Sequence, residues 1–105
     1  MVKEKEVNIL EEAKPKTLTL ADGKEYKLPP IDMTTLANME KTMGFGLGRL
    51  GHKLELETIT TIRMLIYALI KENYPEADID SIGRAITLRE MKAIAETISE
   101  IMAMG

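Results

Sequence analysis

The sequence predicts an α+β fold that is mostly α: an N-terminal β-hairpin followed by three to four helices packed as a small bundle. Three observations predict it. Thr17–Leu20 and Glu25–Leu28 alternate apolar and polar residues on either side of Ala21-Asp22-Gly23-Lys24. After Pro29-Pro30, apolar residues recur at spacings of three and four as far as Met102. At 105 residues, the chain has the length of one domain, able to bury about two-thirds of its unfolded surface without staples.

Residues 1–16 interleave Lys and Glu around Val7, Ile9 and Leu10. They read as a mobile arm or weak edge strand that Pro15 ends, leaving 17–105 as a single hairpin-plus-helical domain. The hairpin register follows from its apolar face. A two-residue Asp22-Gly23 loop would set Leu20 against Glu25 and Thr19 against Tyr26. A three-residue loop with Gly23 at positive φ sets Leu18 against Tyr26 and gathers Leu18, Leu20, Tyr26 and Leu28 on one side. A half-buried hairpin needs one consistent apolar face, so the second register is expected.

Asp32 suits the N-cap of a first helix over about 33–43, carrying Leu36, Met39 and Met43 and stopped by Gly44. Residues 44–51 read as a flexible glycine-rich connector. The longest helix is expected from about Leu56 to Asn73, ending before Pro75. Asp78 caps a short helix with Ile79 and Ile82. Thr87-Leu88-Arg89-Glu90 is a capping box that opens a last helix from Leu88 to about Met102.

The last helix places Leu88, Met91, Ile94, Ala95, Ile98, Ile101 and Met102 on one arc, opposite Arg89, Lys92, Glu96 and Glu100. The long helix has a strong face of Ile59, Ile62, Leu65, Ile66, Leu69 and Ile70, expected to meet Met91, Ile94, Ile98 and Ile101 as the main helix–helix contact. A second stripe of Thr61, Met64 and Ala68 lies on its far side. Apolar residues on two sides make a helix either central in the fold or a surface for a partner.

Composition excludes several kinds of chemistry. With no cysteine, disulfides, zinc–thiolate sites and thiol catalysis are absent, which fits a reducing cytoplasm. His52, the single histidine, has no partner for a metal site or a nucleophilic triad. The opening Met1-Val2-Lys3-Glu4-Lys5-Glu6 is too charged to begin a secretory signal, and no apolar run approaches the roughly 20 residues of a membrane span. The net charge of −3 is spread with both signs mixed, so no basic stripe marks a nucleic-acid surface. Gly46-Leu47-Gly48-Arg49-Leu50-Gly51 matches the dinucleotide string, but a helix rather than a strand precedes it. Asp78–Gly83 echoes a calcium loop whose fifth and twelfth positions, Ile82 and Arg89, cannot ligate. No enzyme activity and no cofactor are expected.

Eight methionines stand against one phenylalanine and no tryptophan. Methionine adapts its shape at low cost, which suits a groove that accepts apolar helices of differing detail. The candidate partner-binding residues are Met39, Met43, Met64, Ala68, Met91 and Met102.

The order of parts resembles the small tail assembly chaperones of long-tailed phages and prophages. The resemblance rests on "TLTLADGKEYKLPPIDMTTLANMEKTMG", with its G-x-x-Y-x-L strand from Gly23 to Leu28 and a following helix with a central Glu40 and late Gly44. A segment like Asp78 to Met102 often closes such proteins, so the likeness spans about residues 17–103. It implies a non-enzymatic protein of the host cytoplasm, not expected in the mature virion. Such a protein coats the apolar, helical tape measure protein until tail tube subunits polymerise around it. Many members have a longer frameshifted form whose extra domain recruits tail tube protein, and this chain would correspond to the short form. The stretch 44–51 and the arm 1–14 match nothing in the family. The other reading is a small bacterial or prophage adaptor or regulatory interaction domain. Self-association is compatible with either.

Overall fold

Asp22 and Gly23 set how the chain first reverses. In the computed structural model, which describes residues 16–104, β1 (Thr17–Thr19) and β2 (Glu25–Lys27) pair antiparallel with Leu18 opposite Tyr26. Gly23 sits at φ 80°, a left-handed dihedral that residues with a side chain adopt only at a cost. Its amide donates to the Leu20 carbonyl at 3.0 Å, and the Leu20 amide donates to the Lys24 carbonyl at 3.1 Å. This is the three-residue loop that the apolar face requires. Leu18, Leu20, Tyr26 and Leu28 are buried, while Thr17, Thr19, Glu25 and Lys27 are exposed. The arm expected over 1–16 lies outside the described residues except for Lys16. Its carbonyl accepts from the Leu28 amide at 2.8 Å, and its ammonium lies 2.7 Å from Glu100.

Five helices follow among the described residues. In α1 (Met33–Met43), Asp32 accepts from the Thr35 amide and Gly44 closes the helix at φ 83°. The connector expected to be flexible is structured. Leu47–Arg49 form a 3₁₀ turn whose Leu47 amide donates to the Glu40 carboxylate at 2.7 Å. It leads directly into α2 (Leu50–Leu56), whose Leu50 is buried. Gly51 within this helix, and Gly46 and Gly48 just before it, hid it from the sequence, whereas Leu47, Leu50 and Leu54 at spacings of three and four anchor it to the core. α3 (Thr58–Lys71) is the long helix, two residues shorter than expected at each end. α4 (Ile79–Arg84) is capped by Asp78, and a 3₁₀ turn over Leu88–Glu90 leads into α5 (Met91–Met104).

The helix α3 is central. Leu65, Ile66, Leu69 and Ile70 are buried, and so are Thr61 and Ala68 of the second stripe. Its main helical neighbours are α1, α2 and α4, which corrects the expected principal contact with the last helix. α5 still closes the same core, contributing Ile94 and Ile101, with Ile98 half-buried against them. The hairpin is tied to the end of α3 by side chains. Tyr74 accepts from the Lys27 amide at 2.9 Å, Asn73 donates to the Lys27 carbonyl at 2.9 Å, and the Tyr26 and Tyr74 rings meet edge-on at 5.3 Å. Burial, with the hydrogen-bonded Asp22 carboxylate acting the same way, pushes the Tyr26 phenol up to about 12.

Candidate functional site

The first half of α3 leaves apolar residues uncovered. Ile59 stands in its opening turn and is 77 % exposed, with Ile62 one turn further and half-buried. Across from them lie the end of α4 and the link into α5, where Ile86 and Met91 are half-buried and Leu88 is 91 % exposed. The space between is an open cleft of about 650 Å³ with Ile59, Ile62, Ile86, Leu88 and Met91 among its lining residues.

Local geometry fixes both walls. Gly83 lets α4 approach α3: a Cβ there would stand 2.7 Å from Arg63 Cδ. The Arg63 guanidinium then reaches Asp80 at 3.4 Å. On the other side the capping box closes, with Glu90 accepting from the Thr87 amide at 2.6 Å and from its hydroxyl at 2.7 Å. These Thr87 contacts, the hydroxyl first, hold the Glu90 carboxyl below its usual range. The cap starts the chain in a 3₁₀ turn, whose three-residue period rotates Leu88 away from the buried arc of α5. The polar lining includes two guanidinium groups, Arg63 and Arg84, and one carboxylate, Asp80.

Of the six residues singled out from sequence, the structure brings only Met91 to this cleft. Met39 and Ala68 are 0 % exposed and Met43 is buried as well. All three belong to the core because α3 is covered on both sides, which corrects their assignment to a partner surface. Met64 is half-buried and packs on that core. Met102 is 46 % exposed, and its Cε lies 3.8 Å from where a Cβ on Gly51 would stand, so it borders α2 instead. Sequence reasoning missed Ile59 and Leu88 as surface residues, placing both on core faces. The capping box was the available signal, because it makes Leu88 the first residue of its turn, ahead of the α-helical register used to assign its face.

A second cleft of about 520 Å³ lies between the hairpin and α4. Its walls are mixed: Tyr26 and Tyr74 beside Lys24, Glu25, Glu76 and Asp78, the last engaged as a helix cap. Among the described residues no group of three or more His, Asp or Glu side chains could hold a metal ion. No described helix is long and apolar enough to cross a membrane.

No protein-family model matches the chain, and neither a curated protein nor a solved structure matches it.

Proposed function

We propose that this chain is a non-enzymatic tail assembly chaperone. It acts in the host cytoplasm, holding the apolar, helical tape measure protein until tail tube subunits polymerise. The observation that carries the reading is the pair Ile59 and Leu88, both largely exposed on an apolar cleft. An occupant must rise above the cleft to cover them, as a helix laid between α3 and the start of α5 would.

The energetics suit a holder that must let go. Covering one such side chain contributes at most about 1.5–3 kcal/mol, and association costs about 4–15 kcal/mol in lost freedom. One cleft therefore binds weakly. A long target with repeated apolar turns gains hold through many chaperone copies, and growth of the tail tube can displace each copy singly.

Co-expression with the tape measure protein tests the reading. The intact protein should keep it soluble and co-purify with it. Leu88→Glu should abolish both while leaving thermal stability nearly unchanged, because an exposed residue outside the packed core contributes within about 0.5 kcal/mol. If the wild-type chain neither co-purifies with the target nor keeps it soluble, the proposal fails.

A further inference from the structure

The cleft differs in charge from the chain around it. The whole sequence carries −3, yet the cleft is lined by two arginines and one aspartate. Arg63 is committed within the fold, its stem against Gly83 and its guanidinium on Asp80. Arg84 is exposed and makes no salt bridge among the described residues. Arg84 acts on the capping Asp78 carboxylate through charge alone. A cationic group therefore lines the same cleft as Ile59 and Leu88 with its planar donor fork in no salt bridge among the described residues, a geometry that matches a carboxylate.

We infer that the cleft selects amphipathic helices that carry an acidic residue beside their apolar stripe, with Arg84 reading the carboxylate. This rests on the cleft being the helix-binding surface proposed above. The apolar residues supply the contact area, and the charge sets which helices are accepted and in which register. A helix with Lys at the same place would be disfavoured, because Asp80 is already occupied by Arg63 and Arg84 would face a like charge.

Two synthetic helices of about 18 residues, five turns, test this by fluorescence anisotropy with the full chain. Both carry Leu at i and i+4 in an Ala/Gln background; one has Glu beside the leucines and the other Lys. The wild-type protein should bind the Glu peptide about two- to fivefold more tightly at low ionic strength, and the preference should shrink as salt is raised. Arg84→Glu should invert the preference, and Arg84→Gln should remove it, each with an unchanged far-ultraviolet spectrum. Equal affinities for wild type, or a preference that Arg84→Gln leaves in place, would overturn the inference. Should both peptides bind equally and both be lost in Leu88→Glu, the cleft stands as a helix site without acidic selectivity. Binding of neither peptide overturns the inference, and tape measure co-expression then decides the chaperone reading separately.

Discussion

The stem of Arg63 crosses α4 at Gly83, where an added Cβ would stand 2.7 Å from Cδ and 3.2 Å from Cγ. The absence of a side chain at Gly83 thus sets the depth of the cleft floor and places the Arg63 guanidinium on Asp80. Gly83→Ala brings two opposed effects. Alanine favours the helix by up to about 1 kcal/mol, while Arg63 is driven from its rotamer at a cost of about 0.5–1.5 kcal/mol. Chemical denaturation should show a net change within about 1 kcal/mol. Helix binding at the cleft should weaken nonetheless, because Arg63 is pushed into it.

Gly23 gives a sharper backbone test. Its φ of 80° is open to glycine and strained for a β-branched residue. Nothing crowds a Cβ at this position, so any loss on Gly23→Val comes from the dihedral alone. A loss of about 1–2 kcal/mol in urea denaturation is expected.

Two apolar residues of α3 should behave oppositely. Leu65 is fully buried, and Leu65→Ala should cost about 2–5 kcal/mol. Ile59→Ala, only six positions earlier on the same helix, should stay within about 0.5 kcal/mol of wild type while weakening binding at the cleft. Equal losses for both would mean that Ile59 packs inside the fold.

That pair also shows what the sequence could and could not disclose. The hairpin register was legible because one residue of slip exposes every leucine, so a single register satisfied the pattern. Asp32, Gly44, Asp78 and Thr87 marked helix ends because each acts through its own neighbours in the chain. Helical periodicity placed Ile59 and Leu65 on one face, but it carries no information on how far along α3 the covering helices extend. Ile59 falls in the first turn, beyond that cover. Leu88 was misread because the local 3₁₀ turn breaks the angular step on which the reading depended. Ala68 and Met39 required knowledge of which elements pack on either side of α3, and nothing local in the chain encodes that.

Acid should lower the protein's stability through its helix caps. Asp32 and Asp78 lie below the usual carboxylate range, chiefly because they accept from the amides of Thr35 and Ser81. Their pKa values are thus lower in the folded than in the unfolded chain. The stability they contribute is complete above the unfolded value of about 4 and drains away as pH falls through the lower folded values. The double variant Asp32→Asn, Asp78→Asn keeps side-chain acceptors but loses the charge. Melts followed by circular dichroism should find it less stable than wild type at neutral pH, with the difference closing below about pH 4. A difference independent of pH would mean that the charges contribute nothing beyond the hydrogen bond.

The fastening of Lys27 by Asn73 and Tyr74 has a consequence for how molecules of this protein meet at high concentration. A two-stranded sheet has two open margins, and each is a template on which a foreign strand can grow. On the β2 margin the Lys27 amide and carbonyl are both occupied by side chains from the end of α3. An incoming strand would have to strip both bonds before pairing there. Ladder growth from copy to copy is thereby obstructed at β2, and β1 spans only three residues, too short a margin to seed a fibril by itself.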